Sequence, residues 1–102
     1  MIVIIDYGMG NLGSVKNMIK KIGLNSLISS NIEDIENAEK LILPGVGAFD
    51  QGIKNIRELN LIDVLNEKVI AKNTPILGIC LGFQLLTANS EEGKLNGLGW
   101  ID

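Results

Sequence analysis

Pro75-Ile76-Leu77-Gly78-Ile79-Cys80-Leu81-Gly82-Phe83-Gln84-Leu85-Leu86 decides the fold, because it joins a short apolar run to a helical pattern with one cysteine at the junction. Pro75 opens the run where its missing N–H does least harm to a sheet. Ile76 to Cys80 reads as a buried strand, and Leu81 to about Ala88 as the helix that follows it. The glycines at 78 and 82 stand two residues either side of Cys80, as they do around the serine of a G-x-S-x-G nucleophile elbow. The physics transfers to sulfur. Glycines remove the Cβ atoms that would clash where the chain reverses and holds a residue in a strained conformation. A helix N-terminus favours a thiolate, and the N–H of Leu81 is a ready oxyanion donor. By position alone Cys80 reads first as a buried strand-end thiol, a common place for free cysteine, and the glycine frame raises the nucleophile reading level with it.

Outward from this elbow, further apolar runs occur at Ile2 to Ile5, Leu24 to Ile28, Leu41 to Leu43 and, weakly, Leu98 to Ile101. They read as strands of a parallel sheet buried on both faces. Between the first two, Leu12, Val15, Met18, Ile19 and Ile22 recur at spacings of three and four, predicting an amphipathic helix that stops at Gly23. A second helix is predicted from about Leu61 to Lys72, with Leu61, Ile62, Leu65, Val69 and Ile70 inward. Pro44 closes the third strand, and Glu33 to Lys40 reads as a short solvated helical face. The β-α-β-α alternation defines an α/β domain with a doubly wound, mostly parallel sheet and helices on both faces.

With 102 residues the chain holds one small domain, and 46% apolar against 21% charged residues is enough for a core. A net charge of -3 and four aromatic residues give no footprint for nucleic acid. The apolar runs fall far short of the ~20 residues of a membrane span, and no basic-then-apolar leader precedes the first strand, so a cytoplasmic protein is expected. One cysteine makes no internal disulfide, and without histidine it has no common zinc constellation to join, so neither metal nor cofactor is expected.

Leu43-Pro44-Gly45-Val46-Gly47-Ala48-Phe49 leaves the third strand through two glycines flanking Val46. It is either an ordinary Pro-Gly turn or a second oxyanion donor through the N–H of Val46. Ligands of doubly wound sheets gather at strand carboxyl ends, where both this turn and Cys80 fall. Gly8-Met9-Gly10-Asn11-Leu12-Gly13 is a literal G-x-G-x-x-G, which raises a dinucleotide-binding module as an alternative. That fingerprint expects an acidic residue near the end of the second strand, where this sequence has Ser29, Ser30 and Asn31.

Four separated segments together carry a family resemblance: Asp6-Tyr7-Gly8-Met9-Gly10-Asn11, Leu43 to Phe49, Pro75 to Leu86, and Ser90-Glu91-Glu92-Gly93. In this order they resemble the glutaminase subunits of imidazole glycerol phosphate synthase, within the class I glutamine amidotransferases. The resemblance spans residues 1–102 and covers the amino-terminal half of the family's domain, so it implies a truncated flavodoxin-like fold. It implies that Cys80 attacks the side-chain amide of glutamine to give a γ-glutamyl thioester, with Val46 and Leu81 supplying the oxyanion N–H groups. Gly47 and Gln84 match glutamine-binding positions. Tyr7, Gly8 and Asn11 match a region facing a (β/α)8-barrel synthase partner, which takes the ammonia in a heterodimer.

The family completes its triad with a histidine and a glutamate in the half this chain does not match, and the chain has no histidine at all. Glu91 and Glu92 cannot replace an imidazole, so no steady turnover is expected of the chain alone. A non-catalytic fragment is therefore the alternative of another class. Leu98-Gly99-Trp100-Ile101-Asp102 also departs from the Gly-Leu-Gly-Leu-Ile of histidine-pathway members. Its tryptophan resembles paralogues that feed ammonia to surface-sugar amidation, which is the runner-up pathway.

Overall fold

The computed structural model describes residues 1–87 and 95–100. Four strands, β1 (Ile2–Ile5), β2 (Ser26–Ser29), β3 (Lys40–Leu43) and β4 (Ile76–Gly78), form one sheet in the order β2-β1-β3-β4. Every pairing is parallel, with Val3 level with Leu27 and Leu41, and Ile42 level with Leu77. The helices are α1 (Leu12–Lys21), α2 (Ile32–Glu36), α3 (Phe49–Glu58), α4 (Ile62–Asn66), which continues as a π-helical turn over Glu67–Ala71, and α5 (Leu81–Leu85).

Alternation along the strands divides the core in two. Val3, Ile5, Leu41 and Leu43 face one side, where Ile35 of α2, Phe49, Ile53 and Ile56 of α3, Val64 and Leu65 of α4, and Leu81 and Leu85 of α5 bury them. Ile4 and Ile42 face the other side and meet α1 through Ile19, with Leu12 and Val15 partly buried. The sheet is thus doubly wound, as the β-α alternation predicts. The two faces are unequally covered. Met18 and Ile22, expected inward, are 67% and 70% exposed, because among the described residues α1 alone packs on that face and they fall on its flank. Leu77, on the same face of β4 beyond the reach of α1, is 58% exposed. Ile70, also expected inward, is exposed as well.

Local chemistry explains the element ends. Asn11 Oδ1 accepts the N–H of Ser14 at 3.3 Å and caps α1. Gly23, at φ 87°, closes the helix, with its N–H on the Lys20 carbonyl and the Leu24 N–H on that of Ile19. That closure uses up Leu24, so β2 begins at Ser26 rather than at Leu24 as predicted. The helix predicted from Leu61 to Lys72 is α4 with its π-helical continuation. There Lys68 turns inward and donates to the carbonyls of Glu36 and Ala38, both at 2.8 Å.

The ten-residue α3 was not anticipated, although Phe49, Ile53 and Ile56 form its inner stripe. Gly52 in its middle lowers local helix propensity, and burial against α5 outweighs that loss. Leu98 to Trp100 form no strand of the sheet. They return over the end of α5, where Leu98, Trp100 and Gly99 donate to the carbonyls of Leu85, Leu86 and Thr87. Ala88, Ser90 to Gly93 and Ile101 lie outside the described residues.

Candidate functional site

Cys80 stands between β4 and α5 at φ 52° and ψ −116°, a left-handed conformation that non-glycine residues avoid. Its surroundings over-determine that strain. A Cβ at Gly82 would lie 1.7 Å from the carbonyl oxygen of Leu43, and one at Gly78 would lie 2.6 Å from Cα of Phe83. Only glycine lets β3 and the first turn of α5 approach so closely around the cysteine. The Ile79 N–H still donates to Leu43 at 3.0 Å, so strand-like pairing runs to the residue before Cys80 and breaks there. The strand predicted through Cys80 therefore ends at Gly78, and Cys80 is a free, exposed thiol rather than a buried one.

The turn after β3 lies against this elbow. The Leu81 N–H donates to the Gly45 carbonyl at 3.0 Å, so the donor expected to face an oxyanion is occupied and the Gly45–Val46 peptide presents its oxygen to the elbow. Val46 is 63% exposed, and Gly47 follows at φ 121°. Gln84 lies on the surface one turn along α5, its N–H on the Cys80 carbonyl. The structure thus brings Val46, Gly47, Cys80, Leu81 and Gln84 to one end of the sheet, at the carboxyl termini of β3 and β4.

Tyr7 does not face outward. It is 1% exposed, its hydroxyl donates to the Pro44 carbonyl, and burial pushes its phenol well above the ordinary tyrosine range. The bulky ring is accommodated in the core, so its side chain offers no docking surface. Gly8 and Asn11 are exposed, and Asn11 is also the cap of α1. Beside them a pocket of about 340 Å3, lined by Asp6, Tyr7, Gly8, Ser30, Asn55 and Glu58 among others, opens at the ends of β1 and β2, and Cys80 is not among its lining residues. Asn55 of α3, which motif reading passed over, donates from Nδ2 to the Tyr7 carbonyl at 2.9 Å.

The dinucleotide alternative loses its geometry here. Its third glycine should permit close packing, yet a Cβ at Gly13 would meet nothing within 4 Å. After β2 the first acids, Glu33 and Asp34, lie within α2, and Asp34 accepts the Ser29 hydroxyl at 2.6 Å.

A parallel sheet with a strained cysteine at a glycine-framed strand-to-helix turn defines a nucleophile-elbow α/β protein. Residues 3–94 match the family described as glutamine amidotransferase class-I, and the chain belongs to that family. It is 63% identical over its whole length to the protein named imidazole glycerol phosphate synthase subunit HisH 2 of Methanococcus maripaludis, and covers 50% of that protein. The like-named protein of Pseudomonas aeruginosa is 58% identical, again over all of this chain and 50% of its own length. Subunit HisH 1 of Campylobacter jejuni is 48% identical over 103 residues. A crystal structure titled glutamine amidotransferase superposes with a TM-score of 0.78 at 23% identity, over 97% of this chain and 52% of that one, which concerns the fold alone. The chain spans about half the length of the curated relatives it matches. These names do not favour the surface-sugar pathway. Trp100, which suggested it, has a local role, its indole N–H donating to Asn66 Oδ1 at 2.7 Å.

Proposed function

We propose that residues 1–102 are the amino-terminal, nucleophile-bearing half of a glutaminase domain that supplies ammonia to imidazole glycerol phosphate synthesis in histidine biosynthesis. The observation that carries the reading is the left-handed Cys80, held by Gly78 and Gly82 at the end of β4. The Cys80 thiolate attacks the side-chain carbonyl carbon of glutamine, and the carbonyl oxygen takes up the charge. Collapse of that tetrahedral species expels ammonia, which requires a proton, and leaves a γ-glutamyl thioester that water then cleaves. Gly47 and Gln84 hold the glutamine. The ammonia passes to a (β/α)8-barrel synthase subunit in a heterodimer, docked over Gly8 and Asn11. The cytoplasm suits a lone thiol that must stay reduced.

Oxyanion stabilisation requires a rearrangement. The Leu81 N–H becomes available once the Gly45 carbonyl leaves it, and rotating the Gly45–Val46 peptide by about 180° as a rigid plane also brings the Val46 N–H inward. The same rotation takes Val46 from its negative φ to a positive one, which is costly for a β-branched residue. The closed turn is accordingly the resting state, and ligand or partner contacts favour the open one.

The proton carrier is not in this chain, which has no histidine. It comes from the half that the longer relatives possess and this chain does not match. The test is labelling of the assembled, full-length enzyme with diazo-oxo-norleucine, a glutamine-like electrophile. One adduct per chain, lost in Cys80→Ala, is expected by intact mass. An adduct that survives the substitution refutes the assignment.

A further inference from the structure

The Pro44–Gly47 turn has one fixed end and one free end. At the fixed end, the buried Tyr7 hydroxyl donates to the Pro44 carbonyl, and its ring lies so close beneath the next residue that a Cβ at Gly45 would fall 2.0 Å from the phenol oxygen. Tyr7 is itself tied to α3, because Asn55 donates to its backbone carbonyl. At the free end the Val46 side chain is exposed and Gly47 has the left-handed φ that a tight reversal requires. The peptide that caps the Leu81 N–H lies between these ends.

We propose that Tyr7 is a positioning residue for the nucleophile elbow: its phenol immobilises the Pro44 peptide from below, so that the turn can open only by rotation of the Gly45–Val46 plane. This rests on the oxyanion role proposed above and adds to it the group that selects which peptide moves. Without the hydroxyl, the buried Pro44 carbonyl loses its partner and the Pro44–Gly45 peptide is released to move as well. The turn then samples several orientations instead of two, and donors aimed at one oxygen position become dispersed.

The test is Tyr7→Phe, which removes one oxygen and keeps the ring. In the full-length enzyme, the Leu81 amide should exchange with deuterium about tenfold faster, the order expected for losing one hydrogen bond of this kind. Amides of Ile4 and Ile42 in the sheet should keep their protection. In the assembled enzyme, kcat for glutamine should fall about tenfold with KM within about twofold. Alkylation of Cys80 by iodoacetamide, which needs no oxyanion donor, should be unchanged. Equal acceleration of the Leu81 and sheet amides would reduce Tyr7 to a core residue, and wild-type Leu81 exchange would remove its role altogether.

If the Phe variant does not fold, 3-fluorotyrosine can be incorporated site-specifically at position 7 of the otherwise unmutated enzyme. Its fluorine signal should then shift when Cys80 is alkylated by diazo-oxo-norleucine in the assembled enzyme, and a static signal overturns the proposal. Failure of the glutaminase reading looks different: the Cys80 adduct is absent in the unmutated enzyme, while Leu81 exchange still responds to Tyr7.

Discussion

Gly82→Ala tests whether the glycine frame is a steric necessity. The added Cβ would fall 1.7 Å from the Leu43 carbonyl oxygen and 2.6 Å from its carbon. These are backbone atoms of β3, so no side-chain rotation relieves the conflict. Forcing an extra methyl into a close-packed site costs about 1–3 kcal/mol. Displacing Leu43 also strains the bond it accepts from Ile79, a further ~1 kcal/mol. Replacing a helical glycine by alanine returns up to ~1 kcal/mol of propensity, leaving a net loss of about 1–3 kcal/mol. For a chain of this size, with a stability of order 5–15 kcal/mol, that is a large fraction.

Gly13→Ala is the control, since its Cβ meets nothing within 4 Å and it lies in the first turn of α1. It should be neutral or stabilise by about 0.5 kcal/mol. Urea unfolding of both variants should give unchanged m-values, with the Gly82→Ala midpoint lower by roughly 1–2 M. Equal midpoints for the two variants would mean that the elbow relaxes freely and that the frame does not enforce the Cys80 conformation.

Lys68→Met should destabilise by about 2 kcal/mol in the same assay, because its ammonium serves two carbonyls at the end of α2 that methionine leaves without that donor. Val46→Gly should speed Leu81 amide exchange by about fivefold or more by removing the positive-φ penalty of the open turn, worth ~1–3 kcal/mol, and unaltered exchange would place the cost elsewhere. Asn11→Gly keeps α1 within a few tenths of a kcal/mol, whereas Asn11→Lys gives up the cap as well. If Asn11 docks the synthase, both variants should weaken binding in calorimetry, Lys more strongly, and equal affinity to wild type would move the interface away from this loop.

Much of the fold is legible in order along the chain, since buried parallel strands are apolar runs and α1 carries its own period and its own stop at Gly23. The less legible parts have physical causes. The flank of α1 reads as inward because periodicity reports an apolar stripe, not what exists to cover it, and among the described residues Met18 and Ile22 stay largely exposed there. The helix α3 is masked by Gly52, whose propensity cost is offset only by burial of Phe49, Ile53 and Ile56. The buried lysine at 68 resembles any surface lysine until the two carbonyls it serves are brought to it from thirty residues away.

The elbow divides the same way. The spacing of Gly78, Cys80 and Gly82 between a strand and a helix is a local pattern, and local sterics suffice to imply a strained backbone at Cys80. The occupied Leu81 N–H, the burial of Tyr7 and its grip on Pro44 are not local. They join β1, the turn after β3 and the start of α5, residues 37 apart in the case of Tyr7 and Pro44. Sequence by itself determined the order of the four strands, the helix α1 and the cysteine turn, because those depend on neighbours within a few positions, whereas α3 and the fate of Leu98 to Trp100 did not follow from it. Only the tertiary structure decided which donor is occupied, that the tyrosine is hidden and how the described helices divide over the two sheet faces, because each depends on packing between segments that the chain order leaves far apart.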